Sequence, residues 1–409
     1  MLKLFITLRK EAIMHIHICQ NGDTLLSISS KYKVSAARLM EENHLRHPYE
    51  ILTGESILVS RPNAMHCAKP GDTLQTICNK YHISYRKLCQ CNPQISSNLK
   101  LFSGQNVTIN PEYSHFGSIA VAGYIEEGKP IQTQTLPYLT MLTIDGCRIN
   151  HGILKIPFIP LLDDQIKDII PLLLAGIAAN ELLNYYPYNL IFIQQLVKIM
   201  TNESVSGLDI SFKSPPTSQE AVALSALCDY LRANNFRIFA HITDNEWCTK
   251  KRKYEIVEKL TDAILLRNTS QKDGFAQWIK YVYPSKSKTN QTYLFPALPS
   301  RGFKKSIGRL SNEIEASMLI NECLSTAKAH RLTLSRDFHN HYAYYDIANG
   351  LGRRKKEYRV IFDDVFSVSL GMLEMNRIGF SGVTVNAAET PIPFLFMLST
   401  YWEIIDGTI

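Results

Sequence analysis

The sequence predicts an α/β protein: a (β/α)8 TIM-type barrel over residues 115–409, preceded by two small β-α-α-β modules at residues 15–60 and 64–110. Three observations predict it. Gln20-Asn-Gly-Asp-Thr-Leu-Leu-Ser-Ile28 returns 49 positions later as Lys69-Pro-Gly-Asp-Thr-Leu-Gln-Thr-Ile77, so the N-terminal part is a tandem repeat. Beyond Tyr113, short apolar runs alternate with longer amphipathic stretches, the pattern of a parallel sheet covered on both faces. The alternation runs to about eight strand–helix units, which fits one closed barrel.

Each repeat unit reads the same way. A short strand (Ile16–Ile18 or Met65–Cys67) leads to Gly-Asp, where Asp23 or Asp72 is expected to cap the next helix. That helix runs to Tyr32 or Tyr81, and a second runs from Ser35 or Ser84 to Asn43 or Asn92. A closing strand follows Gly54 or Gly104. Residues 1–14 read as a leader whose apolar run is too short for a signal-peptide core, so export by a standard signal is not expected.

In the barrel, the first five strands are read at Ile119–Ala122, Met141–Ile144, Leu172–Ile177, Gly207–Ile210 and Arg237–Ile242. Ala263–Leu266, Thr292–Phe295 and Gly382–Val385 fill later places. Helices are expected at Gln219–Asn234, Glu313–His330 and Ser367–Ile378.

Composition narrows the function classes. A net charge of +7 suits an anionic polymer, but the basic residues are dispersed and no nucleic-acid partner is expected. The densest run, Arg353–Lys356, reads as a solvated hairpin tip. No stretch approaches the roughly 20 apolar residues of a membrane span. Nine cysteines, an odd number, argue against a complete disulfide framework. Cys67, Cys78, Cys89 and Cys91 crowd the second module, but Cys89-Gln-Cys91 lacks the usual two-residue gap of zinc sites. They read as small buried hydrophobes, with crosslinking in a surface layer as the alternative. The histidines show no metal-ligand spacing, and His339 and His341 read as structural. No metal or cofactor is expected.

The repeat unit resembles the lysin motif, a small module that binds N-acetylglucosamine-containing glycans such as peptidoglycan. The resemblance implies that Gly22, Asp23, Thr24 and Leu25 line one shallow groove, with Asn43 nearby. Gly71, Asp72, Thr73 and Leu74 would line the other, with Asn92 nearby. Two weak sites in tandem gain avidity on a polymer.

The C-terminal domain resembles the family-18 glycoside hydrolases, in particular those fused to lysin motifs in bacterial spore-cortex lytic enzymes. Its landmarks are Leu136–Thr140, Asp262–Leu266, Phe362-Asp-Asp364, and Gly379–Val383 with Pro391 and Pro393. That family ends its fourth strand in Asp-x-x-Asp-x-Asp-x-Glu, in which the Glu protonates the leaving oxygen and the neighbouring Asp orients the substrate's own N-acetyl group. Here those positions hold Ser206, Asp209, Ser211 and Lys213. A lysine is a poor proton donor to a sugar oxygen near neutral pH, and it repels the cationic charge a carboxylate would stabilise. The family's Met-x-Tyr-Asp/Glu after the sixth strand is matched by Arg267-Asn-Thr269-Ser270, and its Trp after the eighth by Asn386.

Asp244 and Glu246, after the fifth strand, are the candidates for relocated acids. Glu203 belongs to the opposite face and Glu389 to the loop after the eighth strand. The expectation is a peptidoglycan-binding protein of the spore envelope whose barrel has lost its glycosidase activity. The rivals are a cortex N-acetylglucosaminidase with displaced acids, and a structural protein that binds spore-coat proteins.

Overall fold

The computed structural model describes residues 14–45, 47, 51–62, 64–96, 101–110, 116–151, 153–157, 171–185, 190–267, 274–282, 294–307, 314–349 and 356–405. The barrel strands are β1 (Ser118–Ile125), β2 (Met141–Ile144), β3 (Leu172–Ala178), β4 (Gly207–Phe212), β5 (Arg237–Thr243), β6 (Ala263–Arg267), β7 (Leu294–Phe295) and β8 (Gly382–Asn386). They pair in parallel in the order β7-β6-β5-β4-β3-β2-β1-β8. A parallel bridge from Ala297 to Thr384 closes the ring, where Leu298 N donates to Thr384 O at 2.8 Å. The expected α/β class and barrel are therefore the observed ones. Thr292 and Tyr293, expected to open the seventh strand, lie outside the described residues.

Alternation along each strand sorts side chains to the barrel axis or to the helices. Ala120, Ala122, Met141, Leu174, Phe239, Ala263, Leu265 and Phe295 fill the axis as an apolar plug. Gly382 admits the Phe295 ring, which a methyl group there would overlap. The outward residues join a larger core with the helices. Among these helices, Ser218–Ala233 and Val365–Ile378 begin within two residues of their expected starts.

The stretch between β7 and β8 departs from expectation. Five antiparallel strands form a separate sheet in the order Ile314–Leu319, Arg301–Ser306, Lys356–Phe362, Tyr342–Asn349, Ser335–Asp337. The helix expected over Glu313–His330 is therefore corrected: Ile314–Leu319 pairs with Arg301–Ser306, and the helix runs only from Ile320 to Ala329. Long-range pairing overrides local preference here. Ile320, Cys323 and Ala327, the buried stripe of that helix, carried the helical period. The strands Tyr342–Asn349 and Lys356–Phe362 flank the basic run, of which only Lys356 is described.

Both N-terminal modules are two-stranded antiparallel sheets with two main helices, to which the second adds the four-residue helix Pro93–Ser96. Met14–Ile18 pairs with Ser56–Ser60, and Ala64–Cys67 with Asn106–Asn110. The helices are Leu25–Tyr32 and Ala36–Glu42 in the first module, Leu74–Tyr81 and Tyr85–Cys91 in the second. The helix caps shift by one residue from expectation. Thr24 and Thr73, not Asp23 and Asp72, are the N-caps, each in a capping box with Ser27 or Thr76. Cys78, Cys89 and Cys91 are buried and Cys67 is exposed; burial pushes the Cys89 thiol up to about 12. Among the described residues no helix is long and apolar enough to cross a membrane.

Candidate functional site

Above the apolar plug, the C-terminal ends of the strands contribute a polar layer: Tyr124 from β1, Thr143 from β2, Asp209 from β4, His241 from β5, Arg267 from β6 and Asn386 from β8. Asp209 is fully buried. Its Oδ1 lies 3.1 Å from His241 Nδ1, and its Oδ2 accepts from Thr143 Oγ1 at 2.8 Å and from Arg267 Nη2 at 3.1 Å. Arg267 also forms a two-pronged pair with Asp145, the residue after β2, and stacks 4.0 Å above the Tyr124 ring centroid. A side chain at position 176 would overlap Asp145, so Gly176 leaves the space this pair occupies.

The electrostatics follow from this packing. Burial by itself would raise the Asp209 pKa, but His241 and Arg267 outweigh it and bring it down to about 2. Burial likewise disfavours the Arg267 cation, yet Asp145 and Asp209 push its pKa above the usual arginine value. Tyr124 is raised to about 12, chiefly by burial. The one carboxylate retained at the four hydrolase positions is thus a closed member of an ion-pair network.

The other expected positions are scattered. Ser206 lies just before β4 begins, its N–H bonded to Leu173 O. Ser211 is half-buried, in register with Ala178 and His241, and Lys213 is exposed. Asp244 is buried at the start of the helix Asp244–Lys250 and accepts from Asn245 N. Glu246 turns to Lys250 Nζ (2.8 Å) and the Tyr254 hydroxyl (3.3 Å). The two carboxyls therefore bond to different partners.

Glu389 is held by Arg301 at 2.7 and 3.0 Å. Glu203 is exposed ahead of β4. Asn386 accepts from Ala388 N and bonds the Tyr124 hydroxyl. Asn268, Thr269 and Ser270 lie outside the described residues.

Sequence reasoning missed His241 and Thr143 as partners of Asp209, and Asp145 as a partner of Arg267. A signal for them existed: Arg267 ends an apolar strand that offers it no acid, so a counter-charge had to come from another strand end.

The modules keep one geometry twice. His17 Nε2 lies 2.9 Å from Asp23, which also accepts Gln20 N at 2.7 Å; His66, Asp72 and Lys69 repeat this at 2.9 and 2.7 Å. These bonds, the backbone one first, hold both carboxyls below the usual carboxylate range. Tyr32 and Tyr81 complete the arrangement on the far ring nitrogens, at 3.3 and 3.0 Å.

Asn43 donates to Leu39 O and Leu58 O and accepts from Leu58 N, and Asn92 does the same with Leu88 O, Thr108 O and Thr108 N. Leu25 and Leu74 are buried in the module cores. Gly22, Thr24, Gly71 and Thr73 are exposed, with Asp23 and Asp72 half-buried. At each loop the exposed surface therefore belongs to Gly, Asp and Thr, while Leu and Asn hold it from below.

The LysM domain family matches residues 17–60 and 68–110. No curated protein sequence matches the chain. Among solved structures, the Bacillus megaterium QM B1551 spore cortex-lytic enzyme SleL superposes with a TM-score of 0.72 at 14% identity, covering 97% of this chain and 100% of that one. The Bacillus cereus SleL superposes at 0.69 and 15%, again over 97% and 100%. A chitinase from Chromobacterium violaceum ATCC 12472 matches at 0.54 and 12%, over 69% of this chain and 98% of that one. At these identities the likeness is one of fold. The chain carries two LysM domains followed by a TIM barrel of the kind found in spore cortex-lytic enzymes and family-18 chitinases.

Proposed function

We propose that the protein binds peptidoglycan, or another N-acetylglucosamine polymer, in the spore envelope, and that its barrel has lost glycosidase activity. The observation that carries this reading is the engagement of Asp209, the carboxylate kept among the four expected positions, by Arg267, which also pairs with Asp145, while Ser211 stands where the family's substrate-orienting Asp is expected. The proton-donor position compounds the loss, because Lys213 stands there, exposed, and loss of general-acid help lowers rates about 10²–10⁴-fold. The LysM matches support the glycan as ligand, and the likeness to the two SleL structures supports the spore setting. Asp244 and Glu246, each engaged elsewhere, support no displaced acid pair. Spore-coat proteins are the further partners of this reading.

The test is release of soluble muropeptides from purified cortex peptidoglycan, with bound protein measured in the same tube. Binding without release is expected. Lys213→Glu should leave release absent, because Ser211 still lacks the carboxylate that would orient the substrate's N-acetyl group. Release by the native protein that vanishes in Asp244→Asn or Glu246→Gln would overturn the reading and locate displaced acids.

A further inference from the structure

The turn before the closing strand lies beside the Gly-Asp loop in both modules. Gly54 N donates to Cys19 O at 2.8 Å, and Gly104 N to Ala68 O at 2.7 Å. The two turns nevertheless have different surroundings. In the first module Leu334 N donates to Thr53 O at 2.9 Å, and a methyl on Gly54 would overlap the Leu334 carbonyl. Glu55 pairs with Lys328 at 3.1 Å, and Leu52 packs against the barrel's core. The barrel domain therefore covers this turn.

In the second module the equivalent turn is open: Phe102, Ser103 and Gly104 are exposed, and a methyl on Gly104 meets nothing. Phe102 stands where the first module has Leu52 and is 62% exposed. The module is fastened by a different face: Arg86 Nη1 donates to Leu139 O at 2.6 Å, Gln90 Nε2 to Pro137 O at 2.8 Å, and the Tyr138 hydroxyl to Gln90 O at 3.0 Å. A phenyl ring beside an exposed Gly-Asp-Thr loop combines an apolar platform with polar backbone and hydroxyl groups. A pyranose ring, with one C–H-rich face and an equatorial N-acetyl group, fits that combination.

We propose that the modules divide the work: the second takes an N-acetylhexosamine unit of the glycan, with Phe102 beneath the sugar ring, and the first fastens the pair to the barrel. This rests on the glycan-binding reading above. It departs from the expectation that two tandem sites act together.

The experiment is pelleting of the full-length protein with purified peptidoglycan over a range of protein concentrations. Phe102→Ala is expected to weaken binding about tenfold, which is about 1.4 kcal/mol, with an unchanged thermal midpoint because the side chain is exposed. Phe102→Trp should stay within about threefold of the native protein. Asn21→Trp, which places bulk in the exposed loop of the first module, should leave binding unchanged. Equal weakening by Asn21→Trp and Phe102→Ala would overturn the division of labour, as would unchanged binding in Phe102→Ala. Equal loss in the Ala and Trp variants would overturn the platform role. Native protein that stays in the supernatant would defeat the glycan-binding reading itself.

Discussion

Ser56 of the first module and Asn106 of the second hold the same place at the start of the closing strand. Ser56 is buried, donates to Asp364 Oδ2 at 2.7 Å and accepts from Phe366 N at 3.3 Å; Asn106 is exposed. Around them the two modules agree closely, down to the His-Asp-Tyr contacts and the Asn that ties the second helix to the closing strand. The comparison teaches that the repeat pattern specifies the inside of a module. Its role depends on surface residues that the pattern leaves free.

Four measurements would break or sharpen that comparison. The largest effect is expected at Asp364, which caps the helix Val365–Ile378, pairs with Arg336 (2.8 Å to Nη1) and receives Ser56. Asp364→Ala leaves a buried guanidinium unpaired and should cost about 3–5 kcal/mol in urea unfolding. Arg86→Ala, at the second module's seam, should cost less than half of that. Equal costs would mean the two seams are alike.

Gly54→Ala comes next. Both Gly54 and Gly104 have positive φ, +85° and +84°, so an alanine at either costs about 1 kcal/mol in backbone strain. Only Gly54→Ala adds an overlap with Leu334, worth roughly a further 1–3 kcal/mol. Equal midpoints for the two variants would contradict the covered turn. Asn43→Ala and Asn92→Ala should cost the same as each other, about 1–3 kcal/mol, because each strands equivalent backbone groups. A clear difference would break the internal equivalence of the modules.

The remaining measurement is one of pH. Burial raises Asp363 to about 8, with Phe275 N as a bonding partner. An unfolded aspartate titrates near about 3.9. Its folded pKa is therefore the higher one, and its contribution to stability is full below about pH 4 and is lost as pH rises toward 8. Asp363→Asn should remove that loss, so its advantage in thermal midpoint over the native protein grows between pH 5 and pH 8. Asp209 acts in the opposite sense. With a folded pKa of about 2, its contribution is present above about pH 4 and is lost as pH falls toward 2. A flat difference between Asp363→Asn and native protein across pH 5–8 would contradict the protonated state.

Much of this was legible from patterns that act locally. Met141–Ile144 was read at its observed bounds, because four apolar residues between turn signals have few alternatives. The repeat disclosed its own helices through Thr-Leu and the Tyr that ends them. The misread segments each involve a distant partner. Asp23 is drawn to His17 across the turn, which leaves Thr24 to cap the helix. The helix expected from Glu313 begins late because Arg301–Ser306 recruits Ile314–Leu319 into a sheet. At the barrel mouth, the departures from the expected hydrolase pattern at Ser211, Lys213, Arg267 and Asn386 were readable. The ion-pair network built on Arg267 was not.

The sequence by itself determined the class of the fold, the two modules and which residues, Ser206, Asp209, Ser211 and Lys213, stand at the expected hydrolase positions. Periodicity, capping and strand alternation depend on neighbours a few residues apart. The tertiary structure decided which groups engage Asp209 and which module surface stays open. Asp145, Asp209 and Arg267 meet from three strands, and Thr53 meets Leu334 across most of the chain. Charge compensation and surface coverage are properties of groups close in space, and the chain brings these together only when the barrel closes.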